Sequence, residues 1–276
     1  MPRFQTSDGV SLYFTDEGAG VPLICLAGLT RNGRDFDFVA PHLAGSVRLI
    51  RLDYRGRGQS DWAAPETYQI PIEARDTVEL MDHLGLEEAA VLGTSRGGLI
   101  AMALAATVKD RLTGVALNDI GPEIAQAGLD FIADYLGRTP ALPDHAAVAK
   151  RRAEVMTGFR NVPESRWLEE AERLFTAKPE GGLALPYDAA LRDAVLGGGA
   201  QPVPDLWPFF DAFSGLPLCA LRGANSDLLA PETFDEMQKR RPDMIAVTVA
   251  DRGHVPFLDE PEALDALERW LAMLRA

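Results

Sequence analysis

Val91-Leu92-Gly93-Thr94-Ser95-Arg96-Gly97-Gly98-Leu99-Ile100-Ala101-Met102 is the stretch that decides the fold. The run leading into it, Ala89–Leu92, is short and wholly apolar, as a strand buried on both faces should be. From Arg96 to Val108 the chain is rich in Ala and Leu and apolar nearly all round, which predicts a buried helix. Between the two lies G-x-S-x-G, followed by Gly98. Alone, that pattern is a common accident in a glycine-rich chain. With a strand before it and a helix after it, the chain must turn sharply at Ser95. The turn forces the serine into a strained backbone, and the flanking glycines relieve crowding against neighbouring strands. The serine hydroxyl is lifted above the sheet edge, next to a helix N-terminus with free N–H groups and the positive end of its dipole.

Working outward, the same rhythm recurs. Pro22–Ala27, Val47–Leu52, Gly114–Leu117, Leu216–Leu221 and Met244–Val249 read as further buried strands. Pro71–Leu84, Pro231–Arg240 and Pro261–Leu274 read as amphipathic helices between and after them, with Gly85 stopping the first. Strand–helix alternation implies an α/β class with a parallel, doubly wound sheet. Ahead of it, Arg3 to Asp16 alternates around Asp8-Gly9 and predicts an antiparallel hairpin. The rhythm breaks after Gly121-Pro122. Residues 123–214 show no good strand, but helix-like stretches such as Glu164–Thr176 and Tyr187–Leu196, punctuated by Pro and by Gly197-Gly198-Gly199. The expected organisation is a core of 1–122 and 215–276, with 123–214 as a helical insertion.

The bulk numbers fit this. The chain has 276 residues, 47% apolar and 25% charged, enough for one α/β domain with an insertion. Its formal charge of −14 repels phosphate backbones and anionic lipid, which argues against nucleic-acid and membrane partners. Cys25 and Cys219 each lie in an apolar run and read as buried free thiols, with no Cys or His neighbour at metal-ligand spacing. The N-terminus lacks a charged segment followed by an apolar one, and no run is long enough to span a bilayer. The expected location is the cytoplasm.

A serine nucleophile needs a base. Of four histidines, His42 and His83 fall in predicted helices, and His145 sits among polar neighbours that suggest solvent. His254 lies in Asp251-Arg252-Gly253-His254-Val255-Pro256-Phe257, a loop just after the last strand, where parallel sheets build their sites. The orienting acid is expected to be Asp227, in the loop after Leu216–Leu221, giving the chain order Ser, Asp, His. Asp119, after Gly114–Leu117, is the rival. The oxyanion donors are expected to be the backbone N–H groups of Arg96 and Leu29, with Thr30 as the alternative to Leu29. The Arg96 side chain either aims a positive charge at the insertion or forms a structural ion pair, and the ion pair is preferred.

At this point a family can be named. The blocks LICLAGLTRNGRDF, IRLDYRGRGQSD, VLGTSRGGLIAM, RGANSDLL and DRGHVPFLDEP, in that order, make the chain resemble the α/β-hydrolase superfamily over nearly its whole length. Within it the chain looks like small bacterial serine hydrolases with an inserted helical cap. Ala27-Gly28 replaces the His-Gly that many relatives carry at the oxyanion turn. The resemblance implies a mostly parallel central sheet flanked by helices, a cap over the site, no cofactor, no metal and a small-molecule substrate. It implies hydrolysis of a small or medium-sized carboxylic ester or lactone through an acyl-enzyme. Carbon–carbon hydrolases of ring-fission products, enol-lactonases, perhydrolases or haloperoxidases, and ligand sensors built on the same fold remain alternatives. Phe131, Tyr135, Phe159, Trp167, Trp207, Phe209 and Phe210 of the cap would line or support a pocket, and for most of them packing is the simpler role.

Overall fold

Strands and helices follow one another much as the apolar and amphipathic runs do in the sequence. The structure, a computed structural model, describes residues 2–197 and 205–275. The strands are β1 (Arg3–Gln5), β2 (Ser11–Gly18), β3 (Val21–Leu26), β4 (Val47–Leu52), β5 (Ala89–Thr94), β6 (Leu112–Asn118), β7 (Thr176–Ala177), β8 (Leu183–Ala184), β9 (Leu218–Gly223) and β10 (Ile245–Val249). The helices are α1 (Ala40–Leu43), α2 (Ile70–His83), α3 (Arg96–Val108), α4 (Gln126–Tyr135), α5 (His145–Val155), α6 (Glu164–Leu174), α7 (Leu191–Leu196), α8 (Trp207–Asp211), α9 (Pro231–Arg240) and α10 (Pro261–Met273).

Eight strands form one sheet in the order β1-β2-β4-β3-β5-β6-β9-β10. The pairs β1/β2 and β2/β4 are antiparallel, and every pair from β4 to β10 is parallel. The expected N-terminal hairpin is β1–β2. Strand order reverses at β3: the chain passes from β3 to β4 on one side and then crosses to β5 on the other, so the strand C-termini there open a crevice.

Period-two alternation explains the unbroken apolar runs. Along β3, Leu23 and Cys25 join one buried cluster with Phe36, Leu267 and Trp270, while Ile24 and Leu26 join the other with Ile100, Leu104 and Met237. Helices therefore cover both faces, and each strand must be apolar throughout. Trp270 is fully buried, and its indole N–H donates to Pro217 O at 3.1 Å, which satisfies the one polar atom that α10 brings into the core.

Between β6 and β9 the chain forms α4 to α8. Helices α5 and α6 pack on each other around Val148, Ala149, Trp167 and Ala171. One detail differs from expectation: this segment holds a two-residue strand pair, β7–β8, turned at Gly181 and Gly182 with φ of 93° and 81°. Strands that short carry no readable alternation. The helix expected from Tyr187 begins only at Leu191, because Tyr187 and Asp188 are tied to the core: Tyr187 bridges to Arg57, and Asp188 accepts from the Tyr68 hydroxyl. Gly198 and Gly199 of the expected glycine break lie outside the described residues.

Candidate active site

Ser95 sits where β5 gives way to α3, at φ 51° and ψ −115°, a backbone that L residues rarely adopt. Its N–H donates to Asn118 O of β6 at 3.0 Å. The turn is feasible only because Gly97 lacks a side chain: a Cβ there would sit 1.9 Å from Leu26 O of β3. The glycine thus lets α3 press against the sheet while the serine side chain projects away from it.

His254 lies in the loop between β10 and α10, and its Nε2 is 3.0 Å from Ser95 Oγ. Its Nδ1 is 2.7 Å from Asp119 Oδ2. A carboxylate only accepts, so Nδ1 carries the ring proton and Nε2 is left to accept the serine O–H. Asn118 holds this loop down, its Nδ2 donating to Pro256 O at 3.1 Å.

The partner of His254 is therefore Asp119, not Asp227. Strand β6 lies between β5 and β9, so a residue at the tip of β6 stands one strand away from Ser95. Asp119 is fully buried at φ 55°. Besides the imidazole it accepts from Gly223 N at 2.7 Å and from the Ser226 hydroxyl at 2.6 Å. The loop after β9, where the acid was expected, instead supplies two donors that hold the acid in place. Asp227 itself is exposed and lines the cavity next to the site. Asp119 was legible as the second choice; its position directly at a strand C-terminus beside β5 is the signal that favours it.

The N–H groups of Leu29 and Arg96 donate to no acceptor among the described residues, and Leu29 lines the cavity. The loop after β3 that carries Leu29 is fixed from below. Tyr54 Oη donates to Ala27 O at 3.0 Å, and Arg57 Nε donates to Leu29 O at 3.1 Å. The Arg96 side chain points away from the cavity, donating from Nε to Glu73 Oε2 at 2.6 Å and from Nη2 to Tyr68 O. Glu73 also pairs with Arg57 at 2.8 Å. Arg96 thus forms the structural ion pair preferred from the sequence, while its partner Glu73 and the link to Arg57 were not visible there, although Arg57 lies in the recognisable RGRGQS turn.

A cavity of about 1010 Å³ opens above Ser95 and His254. Its wall combines the β3 loop with α4, α5 and α6. Phe131, Tyr135 and Phe159 of the insertion line it, whereas Trp167 and Phe210 are buried in packing. The other histidines stand apart. His83 stacks on Phe4, and His145 is half-buried with Nε2 2.9 Å from Phe175 O rather than solvated. Both cysteines are buried and free, and burial pushes the Cys219 thiol up to about 12. Among the described residues no group of three or more His, Cys, Asp or Glu is placed to hold a metal, and no helix is long and apolar enough to cross a membrane.

The model of the alpha/beta hydrolase family matches residues 23–267, which include Ser95, Asp119 and His254. The chain belongs to this family. The family is hydrolytic, and the chain is a hydrolase. It is 36% identical over 254 residues to the 3-hydroxybutyrate-oligomer hydrolase of Cupriavidus necator, covering 87% of this chain and 84% of that one. It is 25% identical over 254 residues to the 2-(acetamidomethylene)succinate hydrolase of Mesorhizobium japonicum, covering 92% and 88%. Among solved structures, an alpha/beta hydrolase from Novosphingobium aromaticivorans superposes with a TM-score of 0.92 at 37% identity, covering 99% of this chain and 97% of that one.

Proposed function

We propose that this hydrolase cleaves carboxylic esters through an acyl-enzyme on Ser95, with His254 as base and Asp119 as orienting acid. The observation that carries the reading is the unbroken line Ser95 Oγ–His254 Nε2–His254 Nδ1–Asp119 Oδ2, at 3.0 and 2.7 Å, on the floor of a cavity large enough for a small or medium-sized ester. Ser95 Oγ attacks the ester carbonyl carbon while Nε2 takes its proton. The negative charge that develops on the carbonyl oxygen falls to the uncommitted N–H groups of Leu29 and Arg96. The imidazolium then protonates the departing alcohol. A water, deprotonated by the same Nε2, releases the acid and restores Ser95. Asp119 accepts from Gly223 N, from the Ser226 hydroxyl and from the imidazole, which holds it in place and fixes the imidazole tautomer.

Residues 123–214 act in this reading as a cap, since α4, α5 and α6 form the wall opposite Ser95. Similarity to the 3-hydroxybutyrate-oligomer hydrolase makes short oligoesters of hydroxy acids the first substrates to test. Purified protein is expected to hydrolyse such oligomers or short-chain p-nitrophenyl esters. Ser95→Ala should reduce turnover by roughly 10⁴-fold or more. Equal hydrolysis by both proteins would remove Ser95 from the mechanism.

A further inference from the structure

The cavity wall is charged in a way the rest of the molecule is not. The chain carries a net −14, yet five arginines line the cavity against four carboxylates. Arg31 and Arg152 come together there. Glu170 of α6, buried, accepts from Arg31 Nη2 at 3.0 Å and lies 3.7 Å from Arg152 Nη2. Arg31 also commits Nε to Asp35, at 2.7 and 2.8 Å from its two oxygens.

Arg152 of α5 is different. Its side chain donates no hydrogen bond to a described residue, and its Nε is shut off from solvent. Its guanidinium lies over the Trp167 ring, 5.8 Å from the ring centre. The side chain keeps 23% exposure, and it lines the cavity. Tyr135 of α4 also faces the cavity, near enough to feel the charges of both arginines. Desolvation inside the cavity pushes its phenol up, away from neutral pH, and the hydroxyl is a neutral donor there. If Arg152 served only to neutralise Glu170, the closer Arg31 would leave it little to do. Five N–H groups on a rigid fork would then stand unused in a partly desolvated site.

We propose that Arg152, with Arg31 and Tyr135 beside it, forms a carboxylate-binding subsite, so that the ester cleaved at Ser95 carries a free carboxylate. A planar guanidinium over a ring face, with a carboxylate no nearer than 3.7 Å and no hydrogen-bonded acceptor among the described residues, matches a ligand carboxylate through paired N–H···O bonds. The subsite is within reach of the reacting carbon. A Cβ added at Gly28 would lie 3.4 Å from Arg31 Cγ and 3.8 Å from Ser95 Cβ, so the stem of Arg31 starts within about 7 Å of the nucleophile's β-carbon. Over the whole cavity wall, five arginines against four carboxylates leave a surplus of one positive charge. It fits a monocarboxylate end rather than a phosphate ester.

The substrate part of this proposal rests on the ester-hydrolase reading, and two measurements separate them. The first uses mono-p-nitrophenyl glutarate and its methyl ester, which differ only in the free carboxylate. Wild type should favour the acid. In Arg152→Met the ratio of kcat/KM for acid over methyl ester should fall about tenfold to a hundredfold, the range for a lost charge-assisted pair, with Arg152→Lys between. A ratio unchanged in Arg152→Met overturns the subsite, and partial misfolding cannot mimic the expected result because it cancels in the ratio. The second measures glutarate binding by calorimetry to Ser95→Ala, which needs no turnover. Binding weakened tenfold or more by adding Arg152→Met supports the subsite; equal affinity, or none in Ser95→Ala, overturns it. If wild type hydrolyses neither ester while glutarate still binds through Arg152, the ester reading fails and the carboxylate subsite stands.

Discussion

At the scale of single residues, two aspartates compete for one role, and burial decides between them. Asp119 is enclosed and accepts three hydrogen bonds, whereas Asp227, in the neighbouring loop, is exposed and does not reach His254. Asp119→Asn should therefore reverse the tautomer preference of His254 and lower kcat by about 10³ to 10⁴-fold with little change in KM. Asp227→Asn should alter kcat by less than about threefold. Steady-state kinetics on one ester substrate checks both, and the opposite ranking would return the acid to the loop after β9. The sequence made Ser95 and His254 legible because their signals are local: glycines around a strand-to-helix turn, and a Gly-His pair after the last strand. The acid was ambiguous because its choice depends on sheet order. Both aspartates follow strands, and only the placement of β6 between β5 and β9 puts Asp119 next to the imidazole.

At the scale of elements, the site depends on one buried carboxylate that joins three segments. Glu73 on α2 pairs with Arg96 at the start of α3 and with Arg57 after β4, and Arg57 in turn holds the Leu29 carbonyl. Both residues expected to donate to the oxyanion are thereby tied to the same helix. Burial alone would raise the Glu73 carboxyl, but Arg57 and Arg96 pull it further the other way, so it is held below its ordinary value. Glu73→Ala leaves two guanidinium groups without their counter-charge in the core, which should cost about 3–5 kcal/mol of stability. Urea unfolding measures that loss. Under conditions where the variant remains folded, kcat should also drop, because the Leu29 loop is no longer held. A variant with native stability would mean that the network is replaceable by water. Of this network the sequence offered only the preferred ion pair of Arg96, not its partner. Helix α2 was clear from its apolar stripe, but a glutamate on a helix is ordinarily solvated, and only tertiary packing reveals that this one faces inward.

At the scale of the whole molecule, the described charge groups divide into two classes whose responses to pH oppose each other. Asp8, Glu73 and Glu170 are held below their ordinary values by arginines: Arg55 for Asp8, and nearby guanidinium groups that outweigh burial for the two glutamates. Their contribution to stability is present above the ordinary carboxylate range and is lost as pH falls through their folded values. Asp35, Asp53 and Asp76 are raised, chiefly by burial, Asp35 to about 6. In the folded state these bind a proton more readily than in the unfolded chain. Their contribution is present at low pH and is lost as pH rises, for Asp35 between its ordinary 3.8 and about 6. The two classes therefore pull the maximum of stability to mildly acidic pH. Unfolding free energy from urea titrations should rise as pH is lowered from 7 towards about 5, then fall steeply below about 4. In Asp35→Asn the rise between pH 7 and 5 should shrink, since that variant has no proton to gain there, while the acid limb set by Glu73, Glu170 and Asp8 should keep its position. A wild-type stability that only declines from pH 7 downwards would show that the raised carboxylates contribute nothing, and that the arginine-held class alone governs how this molecule responds to acid.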